Sequence, residues 1–125
     1  LLISRLFGAA ELKSLTRFAH DLGLGVLMEI HREDELEAAI SAGPDAIGVN
    51  SRDLSTFEVS PENILKLLPQ IPHTTLRVAE SGILNFEDAK AVYEAGADAI
   101  LVGSALMRSN DPAALLESLR IEDER

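Results

Sequence analysis

Cysteine is absent from the 125-residue sequence, which excludes a disulfide framework and a thiolate zinc site and suits a cytoplasmic enzyme. Basic residues are few. Eleven Lys and Arg stand against 21 Asp and Glu, a formal net charge of −10, and this argues against nucleic acid or an anionic membrane as a general partner. A local phosphate site stays open, because backbone N–H groups and one Arg or Lys suffice to build it. Aromatic residues are scarce, at 4%, although the apolar share of 46% is ordinary for a globular domain. No apolar run approaches the ~20 residues of a membrane-spanning helix, and the first residues lack a signal-peptide pattern. Histidine is thinly spread: His20 and His73 fall in helix and loop contexts with no partner in view, and no His, Asp and Glu spacing makes a metal site. The chain starts inside an apolar run without Met, which reads as a truncated chain.

Two stretches organise what is present. Val78-Ala79-Glu80-Ser81-Gly82-Ile83 and Ile100-Leu101-Val102-Gly103-Ser104 each run apolar and then stop at small residues. Glycine there lets a backbone approach a ligand, and a following helix N-terminus favours an anion, most often phosphate. Around them strands and helices alternate. Strands are expected at Leu1–Ile3, Gly25–Ile30, Ala46–Val49, Leu76–Ala79 and Ala99–Val102. Helices are expected over 10–22, with Leu12, Leu15, Phe18, Ala19 and Leu22 inward, over 33–41, from Pro61 to before Pro69, over 86–94 capped by Asn85, and after Asp111-Pro112. Near-continuous apolar strands imply a parallel sheet covered on both faces or closed on itself.

An internal repeat sharpens this. Ala42-Gly43-Pro44-Asp45-Ala46-Ile47-Gly48-Val49-Asn50-Ser51 matches Ala95-Gly96-Ala97-Asp98-Ala99-Ile100-Leu101-Val102-Gly103-Ser104 at identical spacing, two βα units apart. The dinucleotide fingerprint of the rival open sheet is missing, so the pattern reads as an α/β fold, a (β/α)8 TIM barrel of which five βα units are here. Val26, Met28, Ile47, Val49, Val78 and Ile100 are expected to form its inward layers. Five strands cannot close a barrel of eight, so the chain is expected to self-associate or to pair with a complementary part.

In such barrels chemistry sits at the C-terminal strand ends. Those ends hold Glu29, Asn50 with Arg52, Glu80 with Ser81 and Gly82, and Gly103 with Ser104. A carboxylate among apolar neighbours is costly to bury unless partnered, and desolvation turns it into a usable acid or base. Asn50 offers a donor and an acceptor, or is a turn residue. Arg52 suits a carboxylate or phosphate, or an ion pair with Asp53. His31 follows Glu29 by two positions, yet is expected in the loop as a helix-start residue.

At these residues the sequence resembles the indole-3-glycerol phosphate synthase family. The similar segments are Leu27–His31, Ile47–Val49 with Asn50-Ser51-Arg52-Asp53-Leu54-Ser55-Thr56-Phe57-Glu58-Val59, Val78–Ile83 and Leu101–Met107, and the resemblance spans nearly the whole chain. It implies that residues 1–125 are the C-terminal part of one β/α-barrel domain, from the family's fourth strand to its last helix. The implied reaction closes an indole ring on 1-(2-carboxyphenylamino)-1-deoxyribulose 5-phosphate with loss of CO2 and water, without a cofactor. By the same resemblance Glu29 is a base or electrostatic stabiliser, Asn50 and Arg52 organise the substrate, and Glu80 and Ser81 form an active-site pair. Gly82, Gly103 and Ser104 would hold phosphate, and Leu101 would wall the aromatic ring. The family's first three strands, with a Glu-x-Lys…Ser-Pro-Ser segment and a general-acid lysine, have no counterpart in this sequence. Another phosphate-binding barrel, such as a phosphoribosylanthranilate isomerase, would want a Cys or Asp pair. A non-catalytic fragment that binds phosphate or self-associates is the non-enzyme alternative.

Overall fold

A computed structural model describes residues 1–52 and 60–121. Five parallel strands form one sheet in chain order: β1 (Leu2–Ile3), β2 (Leu27–Ile30), β3 (Ala46–Asn50), β4 (Leu76–Glu80) and β5 (Ala99–Leu101). Helices α1 (Ala9–Asp21), α2 (Leu36–Ala42), α3 (Pro61–Leu67), α4 (Phe86–Glu94), α5 (Ser104–Arg108) and α6 (Pro112–Ser118) follow the strands. This is a partial α/β barrel. Among the described residues no helix is long and apolar enough to cross a membrane.

Local chemistry sets the helix ends. Asn85 Oδ1 accepts from the Asp88 N–H at 3.0 Å, and Asp111 Oδ1 from the Ala114 N–H at 3.0 Å, each filling an orphan donor of a first turn. Ser60 precedes α3 without a side-chain cap bond, and Pro61 fits the first turn because it has no N–H to satisfy. The helix expected over 33–41 begins as a 3₁₀ turn, Glu33–Glu35, before α2. The buried stripe of α1 is Leu12 and Thr16; Phe18 and Leu22, expected inward, are exposed. Leu15 and Ala19 are half-buried, so the inward face of α1 is narrower than expected and centres on Leu12, Leu15, Thr16 and Ala19.

The sheet faces also depart from expectation. In-register neighbours in a parallel sheet point to the same side. Met28 pairs with Ile47, Ile30 with Val49, Val49 with Ala79, and Ala79 with Ile100. Met28, Ile30, Ile47, Val49 and Ala79 are 0% exposed, packed in one core with Leu12, Leu36, Ile64 and Leu67 of the helices. Val26, Met28, Ile47, Val49 and Ile100 therefore belong to the helix-covered face, and of the expected inward set only Val78 lies on the other one. That other face carries Leu27, Glu29, Ala46, Gly48, Asn50, Leu76, Val78, Glu80, Ala99 and Leu101.

Candidate active site at the C-terminal rim

The inner face becomes polar towards the strand ends. Glu29 sits level with Gly48, Asn50 with Glu80, and Glu80 with Leu101. Both carboxylates are buried. Gly48 is what lets them meet: a Cβ there would lie 1.8 Å from Glu80 Oε1, so the Glu80 carboxylate occupies the space a side chain on β3 would fill. Loss of hydration pushes the Glu80 carboxyl up to about 8, with the Glu29 charge and a hydrogen bond to Glu29 adding to it. Two carboxylates sharing one buried site cannot both ionise cheaply, so one proton is retained between them near neutrality.

Asn50 and His31 act on Glu29. Asn50 Nδ2 donates to Glu29 Oε1 at 3.2 Å, while its Oδ1 accepts the Arg52 N–H at 2.9 Å, which fixes the amide orientation. His31 lies just past β2 on the same side as Glu29, and its Nε2 is 3.1 Å from Glu29 Oε1. It lies in the loop before the Glu33–Glu35 turn, as expected, and is buried there. Its backbone is pinned, the N–H donating to Glu35 Oε2 at 3.0 Å and the carbonyl accepting from Asn63 Nδ2 at 2.7 Å. The i, i+2 spacing was its only sequence signal. Ser51 N donates to the Glu80 carbonyl at 3.1 Å, tying the ends of β3 and β4 together.

Beyond Glu80 the chain turns sharply. Ser81 has φ 65° and Gly82 φ 74°, and a left-handed serine is a strained conformation of the kind that clusters at functional sites. The turn opens a cleft of about 710 Å³ whose walls include Arg52, Ser81, Gly82, Leu101, Gly103 and Ser104. Arg108 also lines it, from the short helix α5, with its Nε on the Ser104 carbonyl at 3.2 Å. Five residues are too few to show a helical period, so neither α5 nor Arg108 stood out in the sequence. A Cβ at Gly103 would meet no protein atom within 4 Å. Buried Glu29 and Glu80 and half-buried Asn50 thus gather in one cluster, and the six expected binding residues line the adjoining cleft. Asp53, the alternative partner of Arg52, and the rest of the matching segment to Val59 lie outside the described residues. Among the described residues no three His, Asp or Glu side chains gather as a metal site.

The opposite ends of the strands bear the internal repeat. Asp45 Oδ2 accepts from the Val26 N–H at 2.7 Å and lies 2.9 Å from His20 Nε2, so His20 has a partner that its helix position did not reveal. Asp98 takes the equivalent place: it accepts from the Arg77 N–H at 2.9 Å and holds the buried Arg77 guanidinium through two further bonds, each 2.9 Å. Gly43 and Gly96, with φ 71° and 103°, make the left-handed turns before each aspartate.

Known proteins resemble this chain in sequence and in fold. The chain is 48% identical over 120 residues to an indole-3-glycerol phosphate synthase of Exiguobacterium sp., covering 96% of this chain and 47% of that protein. It is 42% identical over 119 residues to the synthase of Chromobacterium violaceum, covering 95% and 45%. It thus spans about half the length of the curated relatives it matches. The solved structure of 3-hexulose-6-phosphate synthase from Salmonella typhimurium superposes with a TM-score of 0.75 over 94% of this chain and 57% of that one. At 20% identity, that likeness shows the fold alone. The model of the indole-3-glycerol phosphate synthase family matches residues 1–119, and to that family the chain belongs.

Proposed function

We propose that this chain supplies the C-terminal half of an indole-3-glycerol phosphate synthase active site. The reaction would be ring closure of 1-(2-carboxyphenylamino)-1-deoxyribulose 5-phosphate with loss of CO2 and water, a carbon–carbon lyase step of tryptophan biosynthesis. The observation that carries this reading is the buried Glu29–Glu80 pair beside a glycine-ended cleft, in a chain of that family. A pair that keeps one proton near neutrality offers a base and an acid at one place. In this reading Glu29 is the base or electrostatic stabiliser, Glu80 the proton donor, and Asn50 the group that organises the substrate. Arg52 meets a substrate carboxylate or phosphate, Leu101 walls the aromatic ring, Ser81 binds substrate beside Glu80, and Gly82, Gly103 and Ser104 cradle phosphate. The mechanism calls on no cofactor, and the setting is cytoplasmic.

Completion of the pocket is part of the proposal. Leu76 and Leu101 on the inner face are 59% and 49% exposed, and β1 and β5 each pair on one side only among the described residues. A three-strand N-terminal segment would cover both features and bring the general-acid lysine; self-association would cover the apolar surface without it. The test is an indole-3-glycerol phosphate assay with and without such a segment, beside sedimentation of the chain alone. The chain alone is expected to be nearly inactive and the mixture active, with Glu80→Gln lowering the rate about 10²–10⁴-fold. A mixture that turns over fully with Gln at position 80 would overturn the reading.

A further inference from the structure

The His31 ring is 8% exposed, and neither of its nitrogens makes an aligned hydrogen bond among the described residues. An unpartnered imidazole at such burial is costly. Yet its Nε2 lies 3.1 Å from Glu29 Oε1, within bonding distance once the ring turns its N–H onto that oxygen. In that orientation a bare lone pair on Nε2 would repel the carboxylate oxygen, so Nε2 is the nitrogen that would carry hydrogen. The backbone that carries the ring is fixed. His31 is held through its own N–H and carbonyl by Glu35 and Asn63, and Asn50 Nδ2 already donates to the same Glu29 oxygen.

We propose that His31 is a positioning residue that donates its Nε2–H to Glu29, keeps the negative charge on that carboxylate, and so leaves the shared proton on Glu80. Two donors, His31 and Asn50, then converge on Glu29 Oε1. Glu80 Oε1 is buried with no hydrogen-bond partner among the described residues. The asymmetry in donors selects which member of the pair is the acid and which the base. Among the described residues the charged groups bonded beside His31 are Glu35, which accepts the His31 N–H, and Arg32, whose Nε is 4.0 Å from Glu35. Neither has a hydrogen bond to Glu29 or Glu80 among the described residues, so His31 and Asn50 are the groups that tell the two carboxylates apart. The proposal rests on the reading of Glu29 and Glu80 as the working pair, and adds to it the residue that divides their labour.

The test is NMR of the chain itself, following the side-chain carboxyl carbons and the imidazole nitrogens against pH. Nε2 of His31 should carry hydrogen throughout the range in which Glu80 titrates. His31→Leu should let the proton move towards Glu29, lowering the Glu80 midpoint by about one pH unit. His31→Gln, which keeps a donor at the same reach, should hold that midpoint near its original place. An Nε2 without hydrogen, an unmoved midpoint in His31→Leu, or equal shifts in the two variants would each overturn the proposal. Should His31→Leu fail to fold, the imidazole signal of the unaltered chain and the His31→Gln titration still decide. These readouts need no turnover, so a failed synthase reading would appear in the assay above and leave them unaffected.

Discussion

At Gly48 an added Cβ would lie 1.8 Å from Glu80 Oε1, 2.8 Å from its Cδ and 3.3 Å from Leu27 Cδ1. The first two atoms are the far end of a flexible side chain, so Gly48→Ala should displace the Glu80 carboxylate rather than unfold the sheet. Driven out of its niche, Glu80 should titrate nearer its ordinary range, below the midpoint of about 8 that burial beside Glu29 gives it. Turnover by the completed enzyme should fall about 10²-fold, the scale of a catalytic group misplaced by an ångström. Carboxyl-carbon titration and the synthase assay check both, and an unmoved midpoint would mean that the carboxylate never used this space. The carboxylates, Asn50 and the two glycine-ended strands were legible in the sequence, because a polar break in an apolar run stands out. Gly48 was not. A lone glycine in a strand signals close approach without saying what approaches, and its partner lies 32 residues away in Glu80.

Among the elements, the repeated βα pairs differ in how much water reaches them. Arg77 is buried and bonded on two guanidinium nitrogens, whereas His20 and Asp45 are 40% and 54% exposed. Arg77 is buried while Asp98 stays in reach of solvent, so Asp98→Ala, which strands the guanidinium, should destabilise the chain by roughly 1–3 kcal/mol. Asp45→Ala should cost less, because its ion pair is screened by solvent. Urea denaturation of the two variants measures the difference, and equal losses would show that the two aspartates do equivalent work. The repeat itself was plain in the sequence because both copies keep Ala-Gly-x-Asp-Ala-Ile at one spacing. Caps were equally plain, since Asn85 and Asp111 carry short acceptors just ahead of helical patterns. Which strand face meets the helices was hidden for a physical reason: with Leu27-Met28 and Ile47-Gly48-Val49 apolar on both sides, period-two alternation vanishes. Only the register, with Glu29 beside Gly48 and Asn50 beside Glu80, resolves it.

For the molecule as a whole, the raised Glu80 couples folding to pH. Its ordinary value is 4.5 and its folded value about 8, so between them the folded chain holds a proton that the unfolded chain has released. Stability from this group is therefore full below 4.5 and is lost as pH rises towards 8. Denaturant midpoints at the two ends of that window should differ in the wild-type chain, the alkaline one being lower. Glu80→Gln should flatten the difference, and a slope that survives the substitution would place its source elsewhere. The sheet carries one more consequence, for the making of the protein. Its strands stand side by side in the order β1-β2-β3-β4-β5, so each strand after β1 finds a neighbour in a segment already synthesised, one βα unit upstream. Among the described residues each pairing can form once its second strand is made, and each closes a loop of modest length. These βα units can condense in chain order during synthesis, with the site assembling in the same direction: Glu29 first, then the niche at Gly48, then the Glu80 that fills it.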